Sequence, residues 1–319
     1  MQDRFGRTIE YLRLSVTDRC NLRCQYCMPA SGIEKHGHDH VLRNEDCIKI
    51  VQTMAALGIK KVRLTGGEPL VRRGLASMIA GIKAIEGIIE VTLTTNGLLL
   101  EDQIEDLKAA GLSRINVSID SLNPETYRRL TRGGDLSVVL RGIEKARLMG
   151  IQPIKINVVL IKGENDHEVD DFLKAFDPSI EVRFIELMPI GEAANWNKEK
   201  FINLNAFFSK RTDLVPALDH GHSGPCRYYQ HVETGRYVGV INSISEHFCD
   251  TCNRLRVTSD GMLKTCLHDA SEMNLKPYLE DAMALENIIK AAINAKPEAH
   301  HLNQANANPI LRNMYTIGG

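Results

Sequence analysis

Apolar and polar residues alternate with a period of two in six short β-branched segments, 9–16, 59–65, 89–95, 114–119, 153–160 and 180–187. Between them, segments 43–57, 101–110 and 137–149 carry helical periodicity, and each stops at a glycine, Gly58, Gly111 or Gly150. Six alternations of strand and helix predict a parallel sheet. A complete eight-unit barrel needs two further units, and the alternation ends after Leu187. The expectation is therefore an α/β fold, an incomplete six-unit (β/α) TIM-type barrel over residues 1–189, open on one side.

The two parities of these strands differ in chemistry. One is aliphatic, with Leu12, Leu14, Val62, Leu64, Val91, Leu93, Ile154 and Ile156, and should pack on helices. The other carries Arg13, Lys61, Arg63, Lys155 and Arg183 together with Thr94, Asn116, Ser118 and Asp120. A barrel interior is normally filled with branched aliphatic residues, so a polar interior with five cations predicts a cavity that holds an anion.

After Pro189 the pattern changes. Residues 196–210 read as a loop and helix, 227–245 as a hairpin turning at Glu233-Thr234-Gly235, 273–295 as a helix, and 296–309 as a flexible linker by composition. Residues 190–319 are expected to form a small α+β domain that covers the open side of the barrel.

Composition narrows the function classes. With 43% hydrophobic and 25% charged residues in 319, the chain can bury a full core. A formal net charge of -1 gives no global argument for nucleic acid or an anionic membrane, so any basic site must be local. No apolar run reaches the roughly 18 residues of a membrane span, and the first residues lack a signal-peptide core, so a cytoplasmic protein is expected.

Six of the eight cysteines form two triplets, Cys20-x3-Cys24-x2-Cys27 after the first strand and Cys249-x2-Cys252-x13-Cys266 near the end. Tight triplets read as metal ligands rather than as a disulfide framework. Three thiolates leave one iron of a [4Fe–4S] cluster, or one position on zinc, open to a ligand. For the second triplet, His247 or His268 could complete a Cys3His zinc site. Thr65-Gly66-Gly67-Glu68-Pro69 closes the second strand, where glycines admit a ligand close to the backbone and Glu68 can accept from an ammonium. Cys47 and Cys226 read as small buried hydrophobes, and His36, His38, His40, His300 and His301 as solvated loop residues.

The first triplet, with Tyr26 before its last cysteine, resembles the radical S-adenosylmethionine (SAM) superfamily. Several further runs resemble the GTP 3′,8-cyclase family of molybdenum-cofactor biosynthesis: 14–20, 94–97, 115–120, 183–189, Cys252-Asn253-Arg254-Leu255-Arg256 and the terminal Gly318-Gly319. The resemblance covers essentially the whole chain. It implies two [4Fe–4S] clusters, one on Cys20, Cys24 and Cys27 and one on Cys249, Cys252 and Cys266. It further implies SAM against Tyr26, Gly67, Glu68, Ser118 and Met188, and GTP against Arg13, Arg63, Thr94, Lys155, Arg254 and Arg256. Catalytic roles fall to Arg13, Arg254, Arg256, Gly318 and Gly319, the terminal glycines entering the active site. The implied partners are GTP and an electron donor, with the next pathway enzyme, cyclic pyranopterin monophosphate synthase, and a homodimer also considered. Rival readings are a two-cluster radical SAM enzyme acting on a peptide and a non-catalytic zinc scaffold.

Overall fold

A computed structural model describes residues 1–33, 37, 40–196, 198–217, 224–246, 248–299 and 312–318. His36, His38, His247, His300, His301, Gly319 and most of the segment read as a linker lie outside the described residues. The six expected strands are β1 (Tyr11–Ser15), β2 (Lys61–Thr65), β3 (Glu90–Thr95), β4 (Arg114–Ser118), β5 (Ile154–Leu160) and β6 (Glu181–Glu186), all parallel and adjacent in chain order. Around them pack α1 (Asn44–Ala56), α2 (Leu75–Lys83), α3 (Leu100–Ala109), α4 (Pro124–Thr131), α5 (Leu136–Leu148) and α6 (Val169–Ala175).

The aliphatic parity faces the helices as the alternation predicts. Leu12 is level with Val62, and Val62 with Val91; Val117 is level with Ile156, and Ile156 with Val182. All are essentially inaccessible to water, and burying each such side chain stabilises the fold by roughly 1.5–3 kcal/mol. Local chemistry starts the helices: Asn123 accepts from the Glu125 and Thr126 amides ahead of α4, which has Pro124 in its first turn, and Asp135 accepts from the Ser137 amide ahead of α5.

The C-terminal strands are β7 (Leu214–Pro216), β8 (Cys226–His231), β9 (Tyr237–Ile241), β10 (Arg254–Val257), β11 (Met262–Lys264) and β12 (Met273–Asn274); the helices are α7 (Leu204–Phe208), α8 (Ala282–Asn294) and α9 (Met314–Ile317). These strands do more than cover an open side. β10 adds parallel to β1, and β9 adds parallel to β6, so both edges of the six-stranded array continue into one 12-stranded sheet. The helix expected from residue 273 begins only at Ala282. Met273 and Asn274 pair with β11, Pro277 sits in a tight turn, and Asp281 caps α8 by accepting from the Met283 and Ala284 amides.

Glu186 at the end of β6 joins the N- and C-terminal parts. Its buried carboxylate accepts from the Leu204 amide at 3.1 Å, the Ile244 amide at 2.8 Å, the Ser245 amide at 2.9 Å and the Ser245 hydroxyl. Phe184, two residues earlier, meets Phe172 edge-on at 6.1 Å between centroids and Phe208 at 5.5 Å. Phe184→Ala should lower the unfolding free energy by about 4 kcal/mol in urea titrations. Leu148→Ala, at a side chain 72% exposed, should change it by no more than about 0.5 kcal/mol.

Candidate active site

A cavity of about 380 Å³ opens where β1 to β6 end, within the size range of small-molecule sites. Both cysteine triplets line it, although more than 220 residues separate them in the chain.

The first triplet occupies the loop after β1. The Arg23 amide donates to Thr131 at 3.1 Å and the Gln25 amide to Leu130 at 2.9 Å, so the end of α4 holds the loop; the Cys27 amide closes a turn on Cys24 at 2.9 Å. Burial pushes the Cys24 thiol well up, and the Asp120 charge and the two neighbouring thiols push the same way. Burial likewise raises Cys20 to about 11 and Cys27 to about 12. Three half-buried thiols that resist ionising together are a donor set that needs added positive charge, which the irons of a cluster supply. Among the described residues, no three His, Cys, Asp or Glu side chains converge on a point that would hold a single ion.

Glycine 67 is required by its neighbours. A Cβ there would lie 2.4 Å from the Arg19 carbonyl, and its amide donates to Thr17 at 2.7 Å, so the glycine pair lets β2 close on the cysteine loop itself. Glu68 lines the cavity and is already bound by the Leu70 amide at 3.0 Å, the Thr95 hydroxyl at 2.6 Å and the Asn96 amide at 2.7 Å. Burial raises its carboxyl to about 7 against those bonds. Tyr26 donates to Asp120 at 2.7 Å, while the Val159 amide donates to the other Asp120 oxygen at 3.0 Å. Ser118 and Met188 complete this part of the lining.

The opposite part is cationic. Register sets Arg256 beside Arg13 and Arg13 beside Arg63, with Arg254 beside Tyr11 on the same parity, and all five line the cavity with Thr94. Burial lowers the Arg13 guanidinium well below its ordinary value, and Arg256 adds to the effect. Burial also brings Arg256 down to about 10, with Arg254 acting the same way. Burial alone would raise the Tyr11 phenol, yet Arg63, Arg13 and Arg254 bring it down to about 7. Arg63 donates from Nε to the Tyr11 hydroxyl and from Nη1 to Thr94 at 3.2 Å. Three of the five expected inward cations, Arg13, Arg63 and Arg183, line the cavity, Arg183 while paired with Glu181 at 2.6 Å. Lys61 and Lys155 do not line it, and Lys155 pairs with the same Glu181 carboxylate at 2.9 Å. Arg254 and Arg256, from outside the six strands, complete the cationic lining instead.

The second triplet brackets these arginines, with Cys249 and Cys252 before β10 and Cys266 after β11. Cys252 is lowered: burial would raise it, but the Lys296 ammonium and the backbone amide of Arg254 outweigh that. Gly318 reaches the same place from the far end of the chain. Arg256 donates to its carbonyl at 2.8 Å, and at φ +86° a Cβ would stand 2.3 Å from the Thr65 hydroxyl. Upstream, Arg312 fixes this tail with a fork onto Asp260, 2.8 and 3.1 Å, and a bond to Glu272 at 2.8 Å.

Several residues here were not among the candidates. Tyr11 and Asp120 had a signal, since both share the polar parity. Arg7, which donates to the Cys249 carbonyl at 2.7 Å, and Lys296 had none, because folding brings them in from remote segments. Cys47 is fully buried on α1, as expected, and Cys226 is half-buried in β8.

Two family patterns match separate parts of the chain. The Radical SAM superfamily pattern matches residues 14–176, and the Molybdenum Cofactor Synthesis C pattern matches residues 180–302. Structures that share the fold include anSMEcpe with bound AdoMet, at TM-score 0.58 and 18% identity over 88% of this chain and 83% of that one. Streptococcus suis SuiB bound to its precursor peptide SuiA superposes with TM-score 0.60 at 14% identity over 91% of this chain and 71% of that one. Sequence relatives are far nearer: GTP 3′,8-cyclases of Alkaliphilus oremlandii, 49% identical, and of Clostridium botulinum (strain Langeland), 45% identical, each matched over 100% of both chains. The enzyme of that name from Listeria monocytogenes is 43% identical over 100% of this chain and 99% of its own. With this identity along its entire length and both cysteine triplets on one cavity, the chain belongs to the GTP 3′,8-cyclase family of radical SAM enzymes.

Proposed function

We infer that this chain converts GTP to (8S)-3′,8-cyclo-7,8-dihydroguanosine 5′-triphosphate, an early step of molybdenum-cofactor biosynthesis. The observation that carries this reading is the set of four arginines, Arg13, Arg63, Arg254 and Arg256, lining one cavity between two three-cysteine sites. A peptide substrate has no comparable charge for them to meet. Bound at the first triplet, a [4Fe–4S] cluster and SAM supply the one-electron chemistry that removes the ribose 3′ hydrogen so that C3′ can join C8 of guanine.

The chain's own residues bind and orient. Cys20, Cys24 and Cys27 hold the first cluster, and Tyr26, Gly67, Glu68, Ser118 and Met188 surround SAM. Glu68 keeps acceptor capacity for the SAM ammonium after its three bonds. Cys249, Cys252 and Cys266 would hold a second [4Fe–4S] cluster, and three thiolates would leave one of its irons open to a ligand such as the guanine. The arginines and Thr94 take the triphosphate, and planar guanidinium groups suit bidentate phosphate contacts. Lys155 joins them by exchanging Glu181 for a phosphate. Arg13, Arg254, Arg256 and the Gly318-Gly319 end, whose Gly319 lies outside the described residues, fix the substrate for reaction. Residues 1–189 thus form the SAM-binding part and 190–319 the part that carries the second cluster and the tail.

Turnover also needs a one-electron donor. Cyclic pyranopterin monophosphate synthase, which consumes the product, is the proposed docking partner, and a homodimer the proposed assembly. All eight thiols are free, which suits the reducing cytoplasm; among the described residues no helix is long and apolar enough to cross a membrane.

The deciding experiment is anaerobic reconstitution with iron and sulfide, then incubation with SAM, reductant and GTP; absence of the cyclised nucleotide would refute the reading. Reconstituted protein should contain about eight irons and eight sulfides per chain, and Cys24→Ala or Cys252→Ala should each remove about half. Near-stoichiometric zinc would instead favour a scaffold. Replacing Arg254 and Arg256 together with alanine should weaken GTP about 100-fold and guanosine by no more than about threefold in equilibrium binding, since each charged hydrogen bond contributes roughly 1.5–3 kcal/mol. For the tail, Gly318→Ala should keep normal iron content while product formation falls at least about tenfold, because its φ and the crowding against Thr65 exclude a Cβ.

A further inference from the structure

Lys296 follows α8 and is only 2% exposed. Its ammonium donates to the Cys252 sulfur at 3.6 Å, to the Arg254 carbonyl at 3.1 Å and to the Thr265 carbonyl. Three donors meet three acceptors, so the group is satisfied without a carboxylate. Those acceptors lie on both segments that carry the second triplet: Cys252 and Arg254 lead into β10, and Thr265 precedes Cys266. The third cysteine is tied to the same stretch through Arg7. This guanidinium donates to the carbonyls of Cys249 at 2.7 Å, Pro297 at 2.7 Å and Glu298 at 2.8 Å. Residues 296–298 are therefore strapped across all three ligand positions.

A buried cation needs negative charge close by. A [4Fe–4S] cluster on three thiolates is anionic when oxidised and gains one further negative charge when reduced. A fixed ammonium at hydrogen-bonding distance from a ligand sulfur therefore favours the reduced form, since net charge and hydrogen bonds to sulfur set the potential of such clusters. Surroundings at the first triplet have the opposite sign, with the Asp120 charge acting on Cys24 and that of Glu68 on Cys20.

We propose that Lys296 is the built-in counter-ion of the second iron–sulfur cluster, a positioning residue that orients Cys252 and raises that cluster's reduction potential. This rests on the reading that Cys249, Cys252 and Cys266 hold a cluster. Its test compares the unmodified chain with Lys296→Met, which keeps length without charge, and Lys296→Arg, which keeps charge. Each is reconstituted anaerobically, assayed for iron and sulfide, and titrated potentiometrically with electron paramagnetic resonance detection. The first cluster is recognised by its spectral change on adding SAM.

The midpoint of the second cluster should move to more negative potential in Lys296→Met and return toward the parent value in Lys296→Arg, while the first cluster stays where it was. An unchanged midpoint in Lys296→Met, or equal shifts in both variants, would overturn the proposal. Should Lys296→Met lose the second cluster while Lys296→Arg keeps it, the charge is needed for assembly and the proposal stands. Loss in both variants would mean that lysine acts only by shape, and the proposal fails. An unmodified chain that holds the first cluster alone would overturn the two-cluster reading, and this inference with it.

Discussion

Positive charge buried on one row of the sheet is the constraint to which the rest of the structure answers. Arg256, Arg13 and Arg63 occupy neighbouring positions on β10, β1 and β2, and adjacent strands lie only about 4.8 Å apart. Like charges on neighbouring strands of one face repel, and the Arg256 charge adds to burial in lowering the Arg13 guanidinium. The opposite parity of the same strands is sealed aliphatic core, which keeps the strands in register despite the repulsion. Tyr11, Thr94 and the Gly318 carbonyl soften the charge with dipoles and a phenol drawn toward ionisation. The result is a cationic surface inside a cavity, and a polyphosphate is the kind of ligand that such a surface suits.

The two sides of that cavity are electrostatically distinct. Around the first triplet stand two buried carboxyl groups, Glu68 and Asp120, both raised by burial, to about 7 and about 6. Each is held by amide and hydroxyl donors rather than by a cation, so neither neutralises the arginines directly. A substrate with a polyanionic tail and a zwitterionic cofactor can thus lie in one space with each charge facing its complement.

Holding the two sides together falls to a few long-range bonds. Glu186 fastens the end of β6 to the turn after β9 and to the start of α7, and the Arg312 fork fastens the tail to the loop between β10 and β11. Arg7 reaches from the N-terminal loop to the second cysteine triplet. Each is a charged group with several satisfied hydrogen bonds, and losing one partner leaves buried donors or acceptors unpaired.

Much of this was legible in the sequence because its signals are local. Period-two alternation is a property of consecutive residues, so it revealed β1 to β6, the parity of Arg13, Arg63 and Thr94, and a polar interior. Cysteine spacing within a triplet is likewise local, and it set the two triplets that line the cavity apart from the lone buried Cys47. Folding alone decided what depends on contacts between distant segments. The addition of β9 and β10 to the two edges of the sheet, the withdrawal of Lys155 onto Glu181, and the seating of Gly318 on Arg256 have no periodic signature, because each partner lies tens to hundreds of residues away. Lys296 shows the limit most plainly. By composition it opens a polar linker, and only the fold, which brings the residue after α8 beside Cys252, turns it into a buried charge on that sulfur.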